Sequence, residues 1–330
     1  MKKIFAISLI LCLAGFTHSV NCQNSVASYK WKKDSVSIAL IKISAGHPEF
    51  ILWKMNYNQD FKPFFHPVSS PDGTLLTAEA PDDHLWHLGQ WFCWKYINKL
   101  NYWEYEGDPK KAVSEGRTEI KTRDIKTKRQ GEARVVMKIA YHAWDKPKEI
   151  VMVEKRTIKM SAPEKDGSYY FEYDMIFVPL VDVVLDRTPV QTNASGVTWG
   201  GYAGLSMRFD QKLSDPKYFS DKRDSVINGE GNPYVAANLK TPEGKTVQMV
   251  IIDHPDNPRY PSAWYTINRP NDRFWFFSPA LLYHSSMEIK AGKPMRLRYR
   301  VMMPAVPLTS EQIGQMAEGK RQKLVTGIKK

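Results

Sequence analysis

Alternation with period two runs through most of the chain and limits its fold more than any other feature. Residues 35–44 (SVSIALIKIS) place Val36, Ile38 and Leu40 on one face of a strand, and Ile41 and Ile43 on the other. The change of phase after Leu40 predicts a bulge there, or a strand buried on both sides. Residues 50–55, 123–128, 133–144, 150–160, 169–178, 247–253, 274–277, 286–289 and 295–302 continue the pattern. Turn signals separate them: Gln130-Gly131, Lys165-Asp166-Gly167 and Ala291-Gly292-Lys293-Pro294. One stretch reads as helix, where Thr309 and Gln312 form a capping box ahead of Ile313, Met316 and Leu324. Gly314 and Gly319 weaken that helix. Strands without intervening helices predict an all-β fold, a large antiparallel β-sandwich with a short C-terminal helix.

The first residues, MKKIFAISLILCLAGF, have the layout of a secretory signal: two lysines, a short apolar run and a processing region over 17–23. Small residues allow cleavage after Ser19 or after Cys22, and the later site is taken. The expected organisation is therefore a signal peptide over 1–22, a sandwich over 23–307, and a helix and tail over 308–330. Localisation is expected to be periplasmic or secreted. Cys22 also offers a lipoprotein alternative, although Ser-Val-Asn before it matches the usual small apolar residues poorly. No later run of about 18 apolar residues predicts a transmembrane helix.

The formal net charge is +12, or +10 without Lys2 and Lys3. Lysine and arginine are spread thinly, and their densest stretch, 121–134, is broken by Asp124, Gly131 and Glu132. For an exported chain this excludes nucleic acid as the expected partner; a solvated strand face or a contact with anionic glycans fits better. Of three cysteines only Cys93 lies well inside the mature region, so it is expected as a buried thiol with no disulfide framework.

Two features bear on chemistry. Ile150, Met152, Ile158 and Met160 share a strand face with Glu154 and Arg156. Either this face points inward and the two charges are paired or line a cleft, or the opposite face is buried and they are solvated. The second feature is residues 66–103, with three of the eight histidines and four of the ten tryptophans. Within it, PDDHLWHLG sets His84 and His87 three apart, between Pro81 and Gly89, on a loop or single turn. There the imidazoles can converge as general acid or base, as ligands of a metal with Asp82, Asp83, Glu79 or His66, or as turn caps packed on Trp86. The aromatics from Trp91 to Tyr105 are core for the most part, with one face open to sugar stacking. WGGYAGLSMR carries glycines at a tight turn and Arg208 in a strand after it. HPDNPRYPSAW is a proline-stiffened loop carrying His254, Asp256, Asn257, Arg259 and Trp264.

In this order HPVSSPDGTLLT, PDDHLWHLGQWFCW, WGGYAGLSMR and HPDNPRYPSAW resemble a bacterial family labelled PmoA-like, after a methane monooxygenase subunit. Its central motif looks like DHPHHRGLW. Asp83, His84, His87, Gly89 and Trp91 match it, while Trp86 and Leu88 replace a histidine and an arginine. Leu85 and Gln90 differ as well. The departures leave a three-histidine metal site outside what the resemblance implies. That subunit crosses a membrane several times, and the mature chain has no such span. The resemblance implies a mutarotase-like sandwich, export alongside carbohydrate-degrading systems, and no settled reaction. SMEIKAGKPMRLRYRV is similar to the last strand pair of such sandwiches.

The expected function is an exported enzyme acting on a glycoside or oligosaccharide by hydrolysis, elimination or epimerisation. His84, His87 and His66 are the catalytic candidates in a cleft shared with His254. Trp86, Arg208, His254, Asn257, Arg259 and Trp264 are the substrate-binding candidates. A two-carboxylate mechanism leaves Glu79, Asp82, Asp83, Glu104, Glu172 and Glu288 as choices. A non-catalytic glycan-binding sandwich and a metal-dependent enzyme are the alternatives; no residue pattern names a cofactor.

Overall fold

The computed structural model describes residues 27–58, 62–104, 115–191, 196–221, 224–225 and 228–326, the last eight by backbone alone. The leader expected over 1–22, with Cys22, and the side chain of Leu324 lie outside the described residues.

Two eight-stranded antiparallel sheets form the body. The first runs Ser28–Lys33, Ser37–Ser44, His47–Asn56, Phe64–Val68, Gln90–Cys93, Gly204–Arg208, Phe274–Pro279, Trp264–Arg269. The second runs Ser214–Phe219, Tyr234–Lys240, Thr246–Asp253, Met295–Met303, Tyr169–Pro179, Met152–Met160, Ala133–Ala143, Gly116–Thr127. A small sheet of Met287–Ile289, Val183–Asp186, Tyr96–Ile97 and Leu100–Asn101 lies beside them.

The sheets meet face to face through large rings. Phe65 stacks on Phe171 at 4.5 Å, Trp53 meets Phe171 edge-on at 5.9 Å, and Phe92 and Trp94 close on Phe177 at 5.5 and 5.3 Å. Tyr169 ties the layers by donating its hydroxyl to the Ser69 carbonyl at 2.5 Å. Ser37–Ser44 slips register between Leu40 and Ile41, and residues 37–41 are all buried. The phase change thus reflects both a bulge and burial on two sides.

The Met152–Met160 strand turns its charged face inward. Arg156 Nε and Nη2 donate to Glu154 at 2.6 and 2.9 Å, the Tyr141 hydroxyl donates to the same carboxylate at 2.5 Å, and both charged side chains are buried. Cys93 is a buried free thiol, as its neighbours predict. The helix spans Ser310–Thr326 and opens on a reciprocal capping box: Gln312 Oε1 accepts from Thr309 N at 2.9 Å, and Thr309 Oγ1 from Gln312 N at 3.3 Å. Ile313 packs on Tyr234, Ala236, Val250 and Ile252 with Ala317. Met316 is exposed, because the four-residue step from Ile313 selects Ala317 for the buried stripe.

Candidate functional site

The Pro81–Gly89 segment is a pair of overlapping turns. His84 N donates to Pro81 O at 2.8 Å, His87 N to His84 O at 3.0 Å, and Ala80 N to His87 O at 2.7 Å. Gly89 ends it at φ +69°, where a Cβ would stand 2.4 Å from the Phe65 carbonyl oxygen, so only glycine fits. This geometry stacks the two imidazoles, with ring centroids 4.6 Å apart and 25° between planes.

The turn covers one end of the first sheet on the face away from the second. A cavity of about 380 Å³ opens there. Its floor is one face of the Trp264–Arg269/Phe274–Pro279 hairpin, where Ile267 lies opposite Phe276 and Arg269 opposite Phe274, with Tyr265 further along. His84, Trp86 and His87, Trp103 and Glu104, and Trp199 and Tyr202 complete its lining, with the Tyr202 ring 5.0 Å from that of Trp103. Most of that lining is aromatic.

Arg269 and Glu104 carry charge on its lining, and Arg208, Asp83 and Lys95 carry charge behind it. Arg208 stands opposite Phe276 and so shares the cavity's sheet face. It is fully buried, lies 3.8 Å over the Phe274 ring, and donates through Nη2 to both Asp83 oxygens at 2.9 and 2.7 Å. Its Nε and Nη1 are buried without hydrogen-bond partners among the described residues. Asp83 therefore stays ionised. Burial raises its carboxyl, but the adjacent His84 imidazole, the Arg208 hydrogen bonds and the Arg208 charge bring it down to about 2. Asp83 Oδ2 lies 3.2 Å from His84 Nδ1. That nitrogen is shut off from solvent, so the nitrogen His84 can offer the cavity is Nε2.

Glu104 is the second carboxylate. Its Oε1 accepts from the Tyr202 hydroxyl at 2.8 Å, and its Oε2 takes a short contact from Lys95, a buried lysine. Burial pushes this carboxyl up, but the Lys95 charge and hydrogen bonds from Lys95, Asn101 and Tyr202 hold it below the ordinary carboxylate value. A further buried lysine, Lys62, donates to the Trp103 carbonyl at 2.7 Å and anchors the same segment. His87 lies behind His84. Desolvation, then the charges of His84, Arg208 and Lys62, hold it well below the usual imidazole value, so it is neutral.

The structure separates the four histidines expected in one cleft. His84 and His87 line the cavity, but His66 does not. Its Nδ1 is 3.0 Å from Thr77 Oγ1, and desolvation, with a smaller push from Lys54, lowers its pKa to about 4. His254 lines a different cavity of about 280 Å³ on the second sheet, and its Nδ1 accepts from Asp256 N at 3.1 Å. Among the substrate-binding candidates, Trp86 alone is on the main cavity's wall. Arg208 acts beneath it, through Asp83. Asn257 clamps Asp253 and the Arg298 backbone. Arg259 donates to the Leu281, Ser285 and Ser286 carbonyls. Trp264 is buried and donates to Asn232 O.

Glu104 was one of six interchangeable carboxylates in the sequence; its place beside the aromatic run was its only signal. Trp199 and Tyr202 flank the Gly200-Gly201 pair, a visible mark of a close approach. Tyr265, Ile267 and Arg269 alternate like any strand, and nothing in their spacing singles them out. Among the described residues no three His, Cys, Asp or Glu side chains converge as a metal-ligand set.

A family model described as a family of unknown function (DUF6807) matches residues 43–318. The PmoA-like label is not the description this family carries. No curated protein matches the chain. Among solved structures, the chain is similar to a Klebsiella pneumoniae protein provisionally assigned as an aldose 1-epimerase: 7% identity, TM-score 0.42, covering 87% of this chain and 83% of that one. It is also similar to an α-galactosidase of Lactobacillus brevis: 7% identity, TM-score 0.37, covering 85% of this chain and 39% of that one. A polysaccharide lyase matches at 12% identity and TM-score 0.31, with 85% of this chain and 33% of that one covered. The chain thus spans about two fifths of the α-galactosidase and a third of the lyase. At TM-scores this low the likenesses say nothing of the chemistry at the cavity.

Proposed function

The chain belongs to the DUF6807 family of unknown function, and we propose that it is a carbohydrate-active enzyme doing acid–base chemistry on a sugar held in the aromatic cavity. One observation carries this reading: His84, backed by Asp83, and Glu104, held ionised by Lys95, line the same aromatic cavity. The rings suit the C–H faces of a sugar. An imidazole whose Nδ1 faces a carboxylate can pass a proton through Nε2, and an ionised carboxylate can accept one or attack as a nucleophile. Epimerisation, elimination and hydrolysis each need one proton delivered and another removed. His87 supports the His84 ring by stacking and stays neutral. With the export signal proposed over 1–22, the substrate is one met outside the cytoplasm.

The test is a panel of monosaccharides, glycosides and oligosaccharides, read for product by chromatography and for mutarotation by polarimetry. His84→Ala and Glu104→Gln are each expected to lower kcat by about 10²–10⁴, with a much smaller change in KM. Full turnover in both variants would sink the assignment. The weight of aromatic surface also suits a non-catalytic glycan binder; affinity without product in the unaltered protein would select that reading.

A further inference from the structure

The outer face of the second sheet carries a charge arrangement that the cavity does not use. Lys126, Arg134 and Lys159 stand directly opposite one another across Gly116–Thr127, Ala133–Ala143 and Met152–Met160. Lys138 stands opposite Lys155 on the last two of these strands. All five are exposed, and none makes an ion pair among the described residues. Opposed residues on one sheet face have Cα atoms about 5 Å apart. Like charges in that position destabilise a sheet. Three such oppositions stand side by side; Asp124 lies in the row between them, opposite Val136, and on the following strand Glu172 stands opposite Lys159. On the next strands the balance returns, where Arg300 pairs with Glu172 and Arg296 with Asp174.

We infer that this strip docks an anionic polysaccharide, one carrying carboxylate or sulfate groups along its chain, whose charges neutralise the opposed lysines and arginine. The neighbouring positions on this face are Thr122, Asp124, Val136, Thr157 and Val153, none of them an aromatic platform for bases, and the face is a sheet, not a helix or ribbon to enter a duplex groove. At Lys159 the strip runs into the cavity of about 280 Å³ whose lining sets Arg296, Arg298 and Arg300 among the carboxylates Glu172, Asp174 and Asp253. A recess of that size takes a sugar residue and is of no use to a flat lipid surface. The choice of a glycan rests on the carbohydrate reading of the main cavity; the charge geometry does not.

The full chain is titrated with polygalacturonate and dextran sulfate, and with neutral dextran, single-stranded DNA and phosphatidylserine vesicles as comparisons. Binding to the two acidic glycans is expected, falling on the order of tenfold to a hundredfold between about 50 and about 200 mM salt, with none to neutral dextran. Lys138→Glu/Lys159→Glu is expected to abolish that binding. It should also leave turnover of a short neutral glycoside unchanged. His84→Ala should leave glycan docking intact, so failure of the cavity reading and failure of the strip are told apart. Unchanged binding in the double variant, no binding to either acidic glycan, or equal binding to DNA or vesicles would overturn the proposal.

Discussion

Replacing Arg208 by methionine tests whether the buried guanidinium is what prepares His84. In the folded protein Arg208 grips Asp83 with two contacts, at 2.9 and 2.7 Å, and helps to hold its carboxyl at about 2 against an ordinary 3.8. The whole lowering corresponds to roughly 2–3 kcal/mol and is shared between His84 and Arg208. Two corrections reduce it. The Asp83 side chain is 30% exposed, so solvent screens part of the gain. Arg208 is worse off than its partner: burial pulls its own pKa down despite Asp83, and two of its nitrogens lack partners. The expected net loss at neutral pH is therefore about 1–2 kcal/mol, measured by urea unfolding. The sign follows from linkage. A depressed carboxyl contributes stability that is full above about 4 and is lost as pH falls towards 2. Between these values Arg208→Met should show a flatter loss of stability than the unaltered chain. Its kcat should fall while a bound sugar still quenches the cavity tryptophans. A variant as stable as the parent, with the same acid limb and the same kcat, would refute the link from Arg208 through Asp83 to His84.

Arg156→Met leaves Glu154 in the core without its cation, and should cost about 3–5 kcal/mol in urea unfolding; Glu154→Gln/Arg156→Met should recover most of it, since the substituted amide carries no charge and Tyr141 keeps an acceptor. His66 must gain a proton on unfolding in acid, so stability should fall by up to roughly 3 kcal/mol as pH drops from about 6.5 to about 4. His66→Gln should remove that part of the slope in a comparison of urea midpoints at the two pH values. Trp86→Ala and Trp199→Ala each remove a ring from the cavity wall and should weaken sugar binding by about 1–2 kcal/mol, a five- to thirtyfold rise in Kd by calorimetry, with little change in Tm.

Most of the fold could be read from the chain because each strand had to alternate and each turn needed its own residue. The bulge at Leu40 and the capping box at Thr309 were visible for that reason. Ser28–Lys33, Ser214–Phe219 and Trp264–Arg269 were not, since their burial is set by neighbours distant in sequence. Glu154 and Arg156 needed the partner sheet to decide which face was inside. The site divides in the same way. His84, Trp86 and His87 share one turn and could be picked out together. Glu104 is distinguished from five other carboxylates only by Lys95 beneath it and Tyr202 across from it, and Tyr202 comes from a segment about 100 residues later. Arg259 and Asn257 looked like ligand-holding groups because prolines stiffen their loop; their hydrogen bonds are spent on holding that loop in place.

The cavity wall is assembled from segments distant in sequence, and they differ in how firmly they are held. His84 is tied through Asp83 to a guanidinium sealed in the first sheet, so altering it disturbs the frame. Trp86, Trp199, Ile267 and Arg269 line the same space but are only partly buried or exposed. Descendants of this chain can therefore diverge in the sugars they prefer by exchanging rim side chains one at a time. The proton-handling group, by contrast, is inherited as a block with the strand beneath it.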